Sequence, residues 1–191
     1  NLREEAKKLR AQVGGDDEAD PGVFSAFLTF DVRAYRVASD RLLNRTVAEL
    51  EAMPREFRIF ISRIRRNGTI LQPEPTTLIQ KDDVVAVMTR SEILMARGTE
   101  IGPEVNDREL LDFPVETLDV VVTSKTIAGK PLRILAVSET ARGVFLKKMT
   151  RAGQTIPFTL DTVIDRGDVL TVVGAVADVD RVARAIGYAD R

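Results

Sequence analysis

The sequence predicts an α+β protein built from two tandem copies of one module, each a small, mostly antiparallel sheet with short helices. Three observations predict it. The first is an internal repeat without a gap. At an offset of 85 residues, Phe60 falls on Phe145, Arg66 on Arg151, Gly68 on Gly153, Thr77 on Thr162 and Ile79 on Ile164. Asp83, Val84 and Val87 fall on Asp168, Val169 and Val172, and upstream Val37, Ser39 and Leu50 fall on Val122, Ser124 and Leu135. A register that keeps both glycines and the apolar positions marks two copies of one folding unit. The second observation is period-two alternation in short apolar runs bounded by Gly, Pro, Asn and Asp, the pattern of half-buried strands. The third is a short helical stretch after the first strand of each copy and another at its end.

Composition bounds the rest. The chain has 191 residues, 44% hydrophobic and 30% charged, ordinary for a globular protein. A module of roughly 70–80 residues buries only about 60% of its unfolded surface, so each copy needs a neighbour, in the chain or in a second chain. The net charge of −1 argues against a nucleic-acid partner. Cys, His and Trp are absent, which removes disulfides, thiolate nucleophiles, the commonest metal ligand and the commonest general base. No apolar run approaches the length of a membrane span and no signal-peptide pattern is present. The chain begins at Asn1 rather than Met and reads as a fragment excised from a longer protein.

Taken in order, residues 1–22 read as a leading helix and linker. Leu2, Ala6, Leu9 and Val13 recur at helical spacing, and Gly14-Gly15 followed by Asp16 to Gly22 is a polar connection. The acids there lack the ligand alternation of a calcium loop. The first module spans 23–97. Leu28, Phe30, Val32 and Ala34 alternate as a strand, while Tyr35 and Val37 fall in the opposite phase, pointing to a bulge or a change of buried face. Arg45 to Met53 is a short helix ended by Pro54, and Phe57 to Arg65 is a strand with both faces partly buried. Asn67-Gly68 is a hairpin turn, after which Thr69 to Leu71 pairs back. Thr77 to Ile79 and Val84 to Thr89 are expected as strands joined by Lys81-Asp82-Asp83, and Ser91 caps a helix to Arg97.

Residues 98–115 read as a connection broken by Gly102-Pro103, with a helical turn or two between Arg108 and Phe113. The second module, 116–191, repeats the order: strand Glu116 to Ser124, helix Lys130 to Val137, strands Val144 to Arg151 and Thr155 to Phe158, the Ala152-Gly153 turn between them. Strands Thr162 to Ile164 and Val169 to Val173 follow, and a helix from Asp178 to Ile186 ends at Gly187. The expected core is Phe60, Ile79, Val84 and Val87 with Phe145, Ile164, Val169 and Val172.

The order Gly129-Lys130-Pro131-Leu132, a short helix, a strand ending Arg151-Ala152-Gly153, and Thr162 through Gly174 (TVIDRGDVLTVVG) closely resembles the RCK C-terminal, or TrkA-C, domain. The first module carries the pattern with Asn44-Arg45 for the glycine–lysine pair and Lys81-Asp82-Asp83 for the Arg-Gly-Asp turn. The resemblance covers about residues 35–97 and 116–187. A tandem pair behind a leading helix further resembles the large cytoplasmic loop of the aspartate:alanine exchanger family of bacterial inner-membrane transporters, and Ile101 to Val105 and Ile186 to Arg191 fit that loop.

The resemblance implies a non-enzymatic regulatory or assembly module at the cytoplasmic face of the inner membrane. Its partners would be the membrane halves of its own full-length chain, a second copy in a homodimer, and a small-molecule or nucleotide ligand. The alternative is a ligand-sensing subunit that gates a potassium channel or cation transporter. A phosphate-bearing ligand would call on Arg45, Arg65 and Arg66 in the first module and Lys130, Lys147, Lys148 and Arg151 in the second, of which Arg45, Arg66, Lys130 and Arg151 are the leading candidates. The plain reading of the same residues is the solvated face of a strand and its turn. Gly68, Gly153, Asp83 and Asp168 read as turn residues, the carboxylates accepting local backbone N–H bonds. No catalytic residue, metal site or cofactor is expected.

Overall fold

The computed structural model describes residues 29–189. The leading helix and the linker before the first strand lie outside the described residues. In the first module β1 (Phe30–Arg36), β2 (Phe60–Arg66), β3 (Thr69–Leu71), β4 (Val84–Arg90) and β5 (Glu104–Val105) form one sheet in the order β3-β2-β4-β1-β5. Its helices are α1 (Val47–Ala52), α2 (Ser91–Arg97) and α3 (Arg108–Leu111). In the second, β6 (Val115–Val122), β7 (Val144–Arg151), β8 (Gln154–Ile156), β9 (Val169–Ala175) and β10 (Gly187–Ala189) assemble as β10-β6-β9-β7-β8, with α4 (Leu132–Ala136) and α5 (Val176–Ile186). Every ladder in both sheets is antiparallel.

The repeat runs further than the sequence reading carried it. Tyr35 pairs with Glu104 and Val120 pairs with Ala189, so β5 and β10 are one strand of the repeat at the same offset. Gly102 and Gly187 stand just before and at those strands. A Cβ on either would overlap a carbonyl oxygen of the neighbouring strand, Arg36 O or Val121 O. Gly187 is extended (φ 165°), so it is kept small by that close approach rather than needed as a left-handed helix cap. The connection read over 98–115 therefore contributes β5 to the first module, the helical turn expected from Arg108 is α3, and Leu110 is fully buried there.

Each local departure from the sequence reading has a physical reason. Tyr35 and Val37 are buried on one face of β1 and Ala34 on the other, in separate clusters, and the β1–β4 register is continuous. The apparent phase slip reflects a sheet covered on both faces. The bulge lies instead between Ile61 and Arg63, and again between Leu146 and Lys148, which is what brings Ile61 and Ile64 into one cluster. Thr77–Ile79 and Thr162–Ile164 are not strands. Each makes one bridge, Thr46 to Leu78 and Pro131 to Val163, and plugs the core with Ile79 or Ile164, both fully buried. The strand expected from Thr155 to Phe158 stops at Ile156, freeing Phe158 to enter the core. Ser91 is not a cap. Arg90 holds that position without a side-chain bond, and the Ser91 amide donates to Thr29 O. Val169 is only half-buried. The Asn67-Gly68 and Ala152-Gly153 turns take positive φ at both residues (50° and 79°, 49° and 77°), as a right-twisted two-residue hairpin requires. Thr46 and Glu49 form a reciprocal capping box at α1.

The modules pack on each other through equivalent surfaces. Phe60 and Met88 from the first sheet meet Phe145 and Val173 from the second, and the second pair is the first advanced by 85 residues. Phe145 stacks on Phe30 (centroids 4.4 Å apart) and lies edge-on to Phe60 (5.1 Å). A contact in which the same patch serves both partners is the geometry of an isologous dimer, here closed within one chain.

Candidate functional site

The leading ligand candidates are placed in different surroundings. Arg66 donates from Nε and Nη2 to Asp83 (2.9 and 2.7 Å) and from Nη2 to Leu78 O (2.7 Å). Arg151 repeats the arrangement with Asp168 (2.8 and 2.8 Å) and Val163 O (2.9 Å). Both aspartates are almost fully buried, and each accepts a turn amide, from Gln80 or Asp165. Burial by itself would raise the Asp168 carboxyl, but the Arg151 guanidinium and the Asp165 amide together hold it below the ordinary aspartate value. Bidentate arginine on a buried carboxylate is a staple between the hairpin and the turn before the next strand. Arg65 is similarly engaged with Asp107 and Glu109, tying β2 to the start of α3. Arg45 and Lys130 are exposed, Arg45 donating to Arg41 O. Lys147 and Lys148 are half-buried at the bulge of β7. The seven cations are spread over both modules, Arg45 with Lys130 and Arg66 with Arg151 at repeat-related positions, rather than gathered on one concavity.

Concavity lies elsewhere. Between the first sheet and its helices is a cavity of about 460 Å³ whose walls include Leu50, Ile59, Ile61, Val85, Val87 and Arg97. The repeat-equivalent residues Leu135, Val144, Leu146, Leu170, Val172 and Val182 line a space of only about 90 Å³ in the second module. Phe158 and Val182, both buried in the core, line that smaller space, and Phe57 and Arg58 reach into its lining from the first module. The residues at those places in the first module are Pro73 and Arg97.

One wall of the larger cavity reaches the junction between modules. Glu51, at the end of α1, lines it and receives Arg142 from the second module in a bidentate pair (3.0 and 2.7 Å). Glu51 also accepts the Ile61 amide (3.0 Å). Burial pushes the Glu51 carboxyl up, and Arg142 and the Ile61 amide only partly offset it. In the reverse direction, Arg58 crosses to donate to Val144 O (2.6 Å), Ala141 O (2.9 Å) and Ala136 O (3.3 Å) while lying 4.8 Å over the Phe60 ring. Burial lowers the Arg58 guanidinium to about 10, so it remains charged at neutral pH. Ala136 is the repeat equivalent of Glu51. Each arginine therefore reaches the same helix end of the opposite module.

The TrkA-C domain model matches residues 32–97 and again 117–187, most of the chain and both modules. The chain belongs to the TrkA-C domain family. Relatives of the tandem TrkA-C pair include an uncharacterized transporter of Bradyrhizobium diazoefficiens, 38% identical over 98% of this chain and 36% of the relative. An uncharacterized transporter of Bordetella parapertussis is 31% identical over 93% of this chain and 31% of the relative, and one of Shewanella oneidensis is 30% identical over the whole chain and 34% of the relative. The TrkA-C pair thus spans about a third of the length of these relatives. A solved structure titled as the GsuK RCK domain aligns at 8% identity with a TM-score of 0.33, covering 86% of this chain and 67% of that one. No helix among the described residues is long and apolar enough to cross a membrane.

The residues that join the two TrkA-C domains, and those that line the cavity of the first, are not among the candidates that sequence pattern singles out. Glu51, Arg58 and Arg142 carry no local motif, because their partners lie 78 to 91 residues away in the chain. The cavity did have a signal. Within the ungapped register, Phe158 and Val182 face Pro73 and Arg97, a loss of apolar volume at core positions of one copy only.

Proposed function

We propose that the tandem TrkA-C pair is the regulatory and assembly part of a bacterial inner-membrane transporter of the aspartate:alanine exchanger type, held at the cytoplasmic face of the membrane. The observation that carries this reading is the coverage: relatives with transporter names match nearly all of this chain, which is a third of their length. On this reading the pair performs no catalysis. Its partners are the membrane-embedded parts of its own full-length protein, a second copy of the chain, and a small-molecule ligand. The cis packing of the modules supports a mechanical role. A unit closed by Phe145, Arg58 and Arg142 moves as one body, and a ligand with different affinities for two placements of that body shifts the transporter between states.

The reading frame around these residues tests the first part. Several apolar runs of about 20 residues on both sides are expected; an upstream nucleotide-binding domain with no such runs overturns the exchanger reading and gives the chain to a soluble channel-gating subunit. The second part is tested on the full-length protein in vesicles. Exchange of external labelled aspartate for internal alanine is expected, and an altered exchange rate is expected when Arg142 is replaced by Ala. Transport that ignores both amino acids overturns the assignment of substrate.

A further inference from the structure

The two domains are a built-in comparison: one sequence pattern, one fold, and the same site between sheet and helices. In the second domain that site is lined by Phe158 and Val182, together with Phe57 and Arg58 from the first domain, and measures about 90 Å³. In the first it measures about 460 Å³, within the range of small-molecule sites. The difference is not a looser fold, since Val37, Ile79, Val85 and Leu94 on its walls are all buried in an ordered core. The two copies differ at two register positions, Pro73 and Arg97 against Phe158 and Val182, of which Arg97 lines the larger cavity, and α2 gives way to a single 3-10 turn beginning at Gly98. An apolar space that size, opened in one copy and closed in the other, forfeits contacts that an occupant restores.

The mouth says what the occupant carries. The charged residues around it are Arg41, Glu51, Arg55, Glu56, Arg97 and Glu100. Two acids are already answered: Glu51 by Arg142, and Glu100 by the Nε and Nη2 of Arg97, both at 3.0 Å. That leaves Arg41, Arg55 and Glu56, all exposed at the mouth and none with a side-chain hydrogen bond or ion pair to a described residue. Arg41 contributes only its field at Glu100. The unanswered charge is positive. Behind Gly98, which lines the cavity, the Tyr35 side chain is buried and packs against that glycine.

We infer that the first-domain cavity binds a small amphipathic organic anion, its apolar body between the first sheet and α1 and its anionic end at Arg41 and Arg55. The site rests on the comparison between the two domains and not on the transporter reading, so either can fail without the other.

The test uses the 191-residue chain with anilinonaphthalene sulfonate as a fluorescent amphipathic anion and octanoate as competitor. Saturable binding of one dye per chain, displaced by octanoate and not by octylamine, is expected. The double variant Pro73→Phe with Arg97→Val, which installs the second domain's plugs, is expected to weaken dye and octanoate binding by about tenfold or more while raising the melting temperature. Arg41→Ser with Arg55→Ser, away from the core, is expected to weaken octanoate while leaving the melting temperature in place. Absence of saturable binding, binding unchanged in the plugged variant, or displacement by octylamine as effective as by octanoate overturns the proposal.

Discussion

Arg151 and Asp168 show how a charged pair can hold a fold without forming a site. The Asp168 carboxylate is 1% exposed and takes two bonds from one guanidinium and one from the Asp165 amide. Asp168→Asn is expected to cost about 1.5–3 kcal/mol at neutral pH, the range for hydrogen bonds to charged groups, towards the lower end because Arg151 is partly solvated. The Asp168 carboxyl sits below its ordinary value when folded. Its contribution is therefore present above the unfolded pKa and is lost as pH falls through the folded one. Chemical denaturation from pH 7 down to about 2 should show a steep loss below about pH 4 that is shallower in Asp168→Asn; parallel curves would remove Asp168 as a source. Glu51 acts with the opposite sign. Its raised pKa means stability gained as pH falls from neutral through the folded value, so Glu51→Gln should flatten the profile above the ordinary glutamate range.

The fifth strand is the element that the repeat nearly hid. β5 has only two residues, too few to stand out by alternation, yet it seals the edge of β1 and sets Gly102 against the Arg36 carbonyl. Gly102→Ala and Gly187→Ala should each cost upwards of about 2 kcal/mol, because the added Cβ would overlap a carbonyl oxygen of the neighbouring strand and push the strands apart. In amide exchange the lost protection should centre on β1 in one variant and β6 in the other. Equal protection in variant and parent would show that the strand yields without cost. The two-residue turns are legible because each depends on adjacent residues, whereas the bulges lie at Ile61/Arg63 and Leu146/Lys148 and not at the phase change of Tyr35 and Val37, and the Thr46–Glu49 capping box comes from the structure alone. The bridges at Leu78 and Val163 were read as strands because a three-residue apolar run looks the same whether it joins a ladder or plugs a core.

At the scale of the molecule, Phe145 is at once a strand residue and the centre of the junction, stacked on Phe30 and edge-on to Phe60. Phe145→Ala is expected to cost about 3–5 kcal/mol, the range for emptying a buried aromatic site. Its location adds a second expectation. Calorimetry of the parent should show one transition, because neither module buries enough surface to be stable alone, whereas Phe145→Ala combined with Arg142→Ala should split or broaden it. A single sharp transition in the double variant would mean that the modules stay coupled without these contacts.

The sequence by itself determined the tandem repeat, the α+β class, the antiparallel sheets and the TrkA-C resemblance. All of these rest on periodicity and on residues close together in the chain. Only the tertiary structure decided that the repeat extends through β5 and β10, that Arg66 and Arg151 are bound to buried carboxylates, and that the modules meet face to face. It also decided that the first encloses a cavity where the second is filled. Those facts depend on which surfaces come together across some 80 residues of chain, and on volumes summed over many side chains, neither of which leaves a periodic trace in the order of the residues.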